Sequence, residues 1–126
     1  MQSNPVVWFE VYVQDMQRAK KFYESVLAIR LQKLEDPGPG ILEMWSFPSQ
    51  KDGFGATGAL AKMDGVPSGG SGTIVYFTCT DCAVEAKRAS SSGGKVMKDK
   101  FSIGQYGYIA LVTDTEGNVI GLHSMK

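Results

Sequence analysis

The feature of this sequence that most restricts its fold is a pattern that occurs twice. From Val6 the chain alternates apolar and mixed residues, reaches Asp15, and continues as an amphipathic stretch to Leu27. From Thr73 the same order returns, with Asp81 placed 66 positions after Asp15 and a weaker helical pattern behind it. An aspartate at this point can accept hydrogen bonds from the free N–H groups of a helix N-terminus. The repeat predicts two copies of a strand–helix unit.

Each predicted helix is followed by three further strand candidates, separated by turns rich in glycine. They are Ala28–Leu34, Ile41–Phe47 and Gly58–Met63 in the first half, and Lys95–Ile103, Tyr108–Thr113 and Val119–Ser124 in the second. The second helix should end at Gly93-Gly94, because a glycine readily takes the left-handed conformation that ends a helix. The sequence therefore predicts a single α+β domain over residues 1–126, made of two βαβββ modules. Module one covers about residues 5–63, a glycine-rich linker 64–72, and module two about 73–126.

Alternation divides each first strand into two faces. One face is apolar, and we expect the helix of the same module to cover it. The other, called here the mixed face, consists of Trp8, Glu10 and Tyr12 in the first module and of Ile74, Tyr76 and Thr78 in the second. Large aromatic rings beside a carboxylate suit the wall of a pocket better than a dry core.

Composition and charge exclude several classes of protein. The 126 residues carry a formal net charge of zero, so no basic excess points to nucleic acid or to an anionic membrane surface. The apolar runs are far shorter than the ~20 residues that cross a bilayer. The N-terminal MQSNPVV lacks the pattern of a signal peptide, and the chain has only two cysteines. We therefore expect a cytoplasmic protein that binds neither nucleic acid nor membrane.

The opening segment FEVYVQDMQRAKKFYESVL and the closing segment GYIALVTDTEGNVIGLHS resemble the vicinal oxygen chelate superfamily. This superfamily includes glyoxalase I, extradiol dioxygenases and bleomycin-resistance proteins. DTEGNVIGL is similar to its closing Asp-Pro-x-Gly-Asn turn and strand, with Thr115 where proline is commoner. The chain most resembles the small glyoxalase-like members. The resemblance implies curved sheets that form an open cup, usually in a homodimer.

The resemblance also implies where a metal would bind. In the metal-dependent members, four ligands come from the first and last strands of the two modules. The corresponding positions here are Trp8, Ile74, Gly121, and either Gly58 or Ala59. None of these side chains is a donor to a divalent cation, which needs His, Cys or carboxylate ligands. We therefore expect no metal and no other cofactor.

Two ionisable residues are candidates for acid–base catalysis. His123 is the only histidine and lies two residues beyond Gly121 on the same strand face, and Glu10 lies on the mixed face. A histidine near a carboxylate can act as a general base at neutral pH. The alternative is a structural hydrogen bond between the two side chains. A displaced metal site formed by His123, Glu10 and Glu43 is a further alternative.

Alternation in the third strand places Leu42 and Met44 towards the helix and Glu43 and Trp45 towards the cup. The candidate ligand-binding residues are then Trp8, Tyr12, Glu43, Trp45, Tyr76, Tyr108 and Gly121. Their rings either stack on a flat or apolar ligand or fill the core of a small barrel.

Cys79 and Cys82 have the CxxC spacing of redox-active dithiols. The face assignment places Cys79 under the helix, however, and the chain holds no second pair of cysteines for a zinc site. We interpret them as two buried thiols.

Two functions of different class remain open. The first is a glyoxalase-like protein that acts on a small molecule without the usual divalent metal, as a lyase or isomerase if it is an enzyme. The alternative is a non-catalytic small-molecule binding protein of bleomycin-resistance type. A third hypothesis is a scaffold with a filled cavity that binds a partner.

Overall fold

The computed structural model describes residues 4–35, 42–70 and 72–126. The chain divides into two compact units, one of Trp8–Thr73 and one of Ile74–Lys126 with the residues up to Val7. Within the described residues, neither helix is long and apolar enough to cross a membrane.

The first unit holds a four-stranded sheet and one helix. Its strands follow the order β2-β3-β4-β1, in which β1 pairs with β4 in parallel and the other pairs are antiparallel. The elements are β1 Val6–Tyr12, α1 Met16–Leu27, β2 Gln32–Lys33, β3 Leu42–Ser46 and β4 Thr57–Met63.

The second unit repeats this arrangement. Its strand order is β5-β8-β7-β6, again with the first strand of the module parallel to the last. The elements are β5 Thr73–Thr78, α2 Cys82–Ser91, β6 Lys95–Ser102, a short 3-10 turn Gly104–Tyr106, β7 Tyr108–Thr113 and β8 Val119–Ser124. The predicted order βαβββ is thus found twice. The predicted strand Ala28–Leu34 is much shorter in the structure, because only Gln32–Lys33 pairs with a neighbouring strand. Ile41, the first residue of the next predicted strand, lies outside the described residues.

The helix ends show why the two helices begin and stop where they do. The carboxylate of Asp15 accepts from the backbone N–H of Arg18 at 3.0 Å, and that of Asp81 from Ala83 at 3.1 Å, as predicted. Gly93 follows the second helix with φ +98°, in the left-handed region. The first helix ends differently, at Ala28 with φ +53°.

Each helix covers the apolar face of its own sheet. In the first unit the buried residues between helix and sheet are Val13, Met16, Leu31 and Leu60. In the second unit they are Cys82, Ala86, Ala110, Val112 and Leu122. These two clusters are the cores of the two modules, and they leave the mixed faces on the opposite side of each sheet.

The predicted orientation of β3 is wrong. Trp45 pairs with Leu60, packs against the first helix, and carries the Lys20 ammonium 3.3 Å above its ring. Glu43 accepts a hydrogen bond from the Trp45 indole N–H at 3.0 Å, so it lies on the same side. Met44 pairs with Ala61 and takes the other face. Periodicity could not choose between the two orientations, because both faces of this strand carry large apolar residues.

Tyr108 is also on the helix side, contrary to the prediction that it lines a cup. It pairs with Ser124 and packs against the core of the second unit. The ammonium of Lys100 lies 4.7 Å from the centre of its ring. Its neighbour Ile109, which pairs with His123, lies on the opposite face.

Candidate functional site

The mixed face of the first unit is built around a buried carboxylate. Trp8, Glu10 and Tyr12 point to one side because they alternate along β1. Glu10 is only 7% exposed. Its Oε2 accepts from the Trp8 indole N–H at 3.2 Å and its Oε1 from the Tyr12 hydroxyl at 2.9 Å. The sequence leaves open whether the Trp8 ring stacks on a ligand or fills the core; the structure adds that its indole donates a hydrogen bond to the carboxylate.

Electrostatics keeps Tyr12 in the donor form. Burial raises the pKa of the Tyr12 hydroxyl, and the charge of Glu10 and its hydrogen bond raise that pKa further. A buried carboxylate needs such donors, since burying a charged group without partners carries a large free-energy penalty. The three side chains therefore form one hydrogen-bonded group along a single strand.

Strand register resolves the alternative between Gly58 and Ala59. Ala59 lies opposite Glu10 in the first unit, and Gly121 lies opposite Tyr76 in the second. Glu10 and Tyr76 correspond in the repeat, so Ala59 is the counterpart of Gly121.

The Tyr76 ring lies directly over Gly121. A Cβ atom at residue 121 would overlap Cδ2 and Cε2 of that ring and would stand 2.7 Å from its Cγ. Tyr76 is itself 5% exposed. The space above residue 121 is therefore filled by the side chain of the paired strand.

The residues at the four positions where metal-dependent members of the vicinal oxygen chelate superfamily have ligands do not suit a divalent metal. The four positions carry Trp8, Ala59, Ile74 and Gly121, and none has a side-chain donor for such a cation. In the part of the chain that the structure describes, no three His, Cys, Asp or Glu side chains come together in a metal-binding group.

His123 is tied to the short 3-10 turn of the second unit. Its Nε2 lies 2.6 Å from the backbone carbonyl oxygen of Tyr106. A carbonyl only accepts, so this nitrogen is the donor and Nδ1 is the remaining ring nitrogen. Glu10 and His123 belong to different units, and their pairing stays a prediction.

Both cysteines are free; Cys82 is buried in the core of the second unit, as predicted, whereas Cys79 is only partly buried and packs against that core. Burial raises the pKa of the Cys79 thiol to about 11, with the neighbouring Glu85 and Cys82 adding to the effect. Redox-active thiols have lowered pKa values, because the thiolate is the reactive form. The raised pKa of Cys79 is the opposite of what a redox-active thiol has.

A groove on the helix side of the first unit was not foreseen. It has a volume of about 460 Å³ and apolar walls in which the Phe9 and Phe47 ring centres lie 5.5 Å apart. The sequence pattern assigns Phe9, Val11 and Tyr23 to the apolar side between strand and helix, so no separate sequence signal marked a groove there. The groove is lined by Phe9, Val11, Tyr23, Leu27, Ile29, Phe47, Pro48, Ala56 and Thr57.

Comparison with known proteins gives relatives of one kind. A glyoxylase-like domain-containing protein of Didymella fabae is 27% identical over 110 residues, which cover 86% of this chain and 84% of the relative. A putative glyoxylase, CFP32, of Mycobacterium bovis is 29% identical over 118 residues, 91% of this chain. The chain spans only 43% of the length of that mycobacterial protein.

The fold recurs in solved structures. The methylmalonyl-CoA epimerase of Mycobacterium tuberculosis superposes with a TM-score of 0.68 at 16% identity, over 97% of this chain and 88% of the epimerase. At this level of identity the likeness concerns the fold, which is the α+β glyoxalase fold. The family model of the Glyoxalase/Bleomycin resistance protein/Dioxygenase superfamily matches residues 6–122. This chain belongs to that superfamily.

Proposed function

We propose that this protein binds a small organic molecule and does so without the divalent metal that many members of its superfamily use. One observation carries the proposal. Strand register puts Ala59 and Gly121 at the last-strand ligand positions, and Trp8 and Ile74 stand at the first-strand positions. A site without donor side chains has nothing to hold a cation or to position it as a Lewis acid.

The mixed faces supply other means of recognition. Trp8, Tyr12 and Tyr76 offer aromatic surface, and Glu10 supplies the one carboxylate of its strand. Glu43, Trp45 and Tyr108 leave the set of proposed ligand-binding residues, because they lie on the helix sides of their sheets.

A binding role is favoured over catalysis by the state of the two acid–base candidates. Both oxygens of Glu10 already accept hydrogen bonds, and Nε2 of His123 is engaged with a backbone carbonyl. A general base must be able to reach a substrate proton, and Glu10 is only 7% exposed. The enzyme hypothesis, a lyase or isomerase with Glu10 and His123 as its acid–base pair, is the second candidate.

Metal analysis of the purified protein tests the metal-free site. We expect no stoichiometric nickel, zinc, iron or manganese, and the same melting temperature with EDTA and with each added cation. A stoichiometric metal whose removal lowers the melting temperature would overturn the proposal.

A thermal-shift screen then tests binding, with neutral aromatic compounds in one arm. Acyl-CoA thioesters form the other arm, because a methylmalonyl-CoA epimerase shares the fold. A ligand at about 100 times its Kd stabilises the folded state by about 2.7 kcal/mol, which is easily measured. Failure of every compound in both arms to shift the melting temperature would count against this assignment.

Once a ligand is known, two conservative variants separate binding from catalysis. His123→Gln should keep binding under the first hypothesis, and both His123→Gln and Glu10→Gln should abolish turnover under the second. Glu43→Gln is the matched control, since this carboxylate also accepts from a tryptophan two residues away but lies on the helix side. The homodimer and the cytoplasmic location stay predictions, the first of which light scattering in solution would test.

A further inference from the structure

The side chain of Tyr76, and not the backbone conformation, leaves room only for a glycine at residue 121. The φ of Gly121 lies outside the left-handed region that favours glycine, so an L-residue could adopt the same backbone. The three atoms nearest to a Cβ at this position all belong to the Tyr76 ring. The obstacle to a side chain at residue 121 is therefore another side chain.

Gly58 in the first unit shows the contrasting case. A Cβ there would overlap the backbone oxygen of Phe9 and would lie 2.7 Å from Cγ of the Phe9 ring. Removing the Phe9 ring would leave the backbone oxygen in place. Gly58 is thus required by the main chain, and Gly121 by one aromatic ring.

The corresponding position of the first unit, Ala59, already carries a methyl group opposite Glu10. A side chain at the last-strand position is therefore compatible with this fold when the paired residue is not a tyrosine lying over it. The difference between the modules comes down to the residue that pairs with the last-strand position, Glu10 in one and Tyr76 in the other.

We propose that Tyr76 closes the last-strand position of the second module, because its ring and a ligating side chain at residue 121 exclude each other. Two features of this module then work against metal binding: residue 121 has no donor side chain, and the Tyr76 ring occupies the volume that a donor would need. Replacing Gly121 by a residue with a donor side chain would therefore not be enough to create a metal ligand there. The functional meaning rests on the metal-free function proposed above, whereas the steric exclusion stands on Tyr76 and Gly121 alone.

A double-mutant cycle measures this exclusion directly. The four proteins are the wild type, Gly121→Ala, Tyr76→Ala and the double variant, compared by thermal unfolding. Gly121→Ala overpacks a filled site and should lower the melting temperature by roughly 3–10 °C. In the Tyr76→Ala background the same substitution should lower it by less than about 2 °C, because the ring is gone.

The matched control is the same cycle at Phe9 and Gly58. Gly58→Ala should still lower the melting temperature clearly without the Phe9 ring, since the overlap with the backbone oxygen remains. A coupling that removes most of the loss at Tyr76–Gly121, beside only a partial coupling at Phe9–Gly58, supports the proposal. A Gly121→Ala protein that melts within about 1 °C of wild type, or equal losses in both Tyr76 backgrounds, would overturn it.

Two further measurements keep the test decisive. If Tyr76→Ala does not fold, Tyr76→Leu replaces it, because leucine also removes the planar ring. 4-Methylphenol should raise the melting temperature of the ring-deleted protein by several degrees more than that of wild type, as apolar cavities of ring size bind small aromatics. Neither measurement involves a metal or the natural ligand, so a failure here is distinguishable from a failure of the proposed function.

Discussion

The two modules share a topology and differ in the chemistry of their mixed faces. In both, an aspartate caps the helix and the first strand pairs in parallel with the last. The first module places a carboxylate opposite Ala59, held by an indole and a hydroxyl of its own strand. The second places a tyrosine ring over a glycine. The two modules thus share a topology, whereas the equivalent positions on their first strands carry a carboxylate in one module and a neutral aromatic ring in the other.

This difference separates what the fold requires from what the site requires. The positions shared by both copies, the helix-capping aspartates and the apolar helix-facing residues, are those that any βαβββ module needs. Glu10 and Tyr76 are equivalent by register but opposite in polarity, so the fold does not dictate either of them. They are the paired positions at which the two modules differ in chemistry.

The largest effect is expected from removing the carboxylate of the first module. Glu10→Ala leaves the buried Tyr12 O–H and the partly buried Trp8 N–H without this acceptor. Each buried donor left unpaired costs about 1–3 kcal/mol, so we expect a loss of about 3–4 kcal/mol in the free energy of unfolding. Urea denaturation followed by tryptophan fluorescence measures it.

Glu43→Ala is the control for this substitution. It removes the same kind of contact, a carboxylate accepting from a tryptophan two residues along the strand, but from a half-exposed position where water can replace the lost acceptor. We expect a loss below about 1 kcal/mol. Equal losses for the two variants would mean that the carboxylate of the mixed face is no more important to the fold than a surface group.

A second comparison concerns the two capping aspartates. Asp15 caps its helix alone, whereas Asp81 also accepts from the Lys100 ammonium at 2.9 Å. Asp15→Ala should cost about 1 kcal/mol. Asp81→Ala should lower the melting temperature further, because it removes the ion pair as well as the cap.

The pH dependence distinguishes the two caps. The hydrogen bond from Lys100, then that from the Ala83 N–H, hold the pKa of Asp81 below its ordinary value of 3.8. A carboxyl with a lowered folded-state pKa stabilises the protein above the unfolded pKa and loses that contribution as pH falls through the folded value. The difference in melting temperature between wild type and Asp81→Asn should therefore shrink below about pH 4. A difference that stays constant down to pH 2 would contradict this assignment.

Much of this molecule could be predicted from the sequence because it is encoded locally. The alternation of β1, the capping aspartates and the repeat of 66 residues depend on neighbours in the chain, and the structure confirms the elements they predicted. Gly93, after the second helix, is another local signal, because a glycine at a helix end predicts the left-handed conformation that this residue takes.

The face of a strand is not encoded in the same way. Trp45 and Tyr108 are aromatic residues on strands whose two sides are both apolar enough to be buried, so alternation gives two answers. What decides is the pairing partner, Leu60 for one and Ser124 for the other, and that partner is distant in sequence. The ring over Gly121 depends on the same long-range register, which is why the sequence showed a missing ligand there but not the tyrosine that fills its place.

A third comparison concerns the C-terminal ends of the two helices. The second helix is followed by Gly93 at φ +98°, where a Cβ would also stand 3.2 Å from the Thr115 methyl. The first helix ends at the exposed Ala28, whose φ of +53° is left-handed. This conformation costs an L-residue about 1–2 kcal/mol, because Cβ crowds the following carbonyl oxygen.

Opposite substitutions at these two ends should therefore have opposite signs. Gly93→Ala should destabilise the protein by about 1–2 kcal/mol. Ala28→Gly relieves the same strain but gives the unfolded chain more freedom, which offsets about 0.4–1 kcal/mol of the gain. The net stabilisation should be about 0.5–1 kcal/mol, seen as a rise in the urea midpoint with an unchanged slope. A lower midpoint for Ala28→Gly would mean that the alanine methyl makes contacts worth more than the strain, and the two helix ends would then differ in packing rather than in backbone geometry alone.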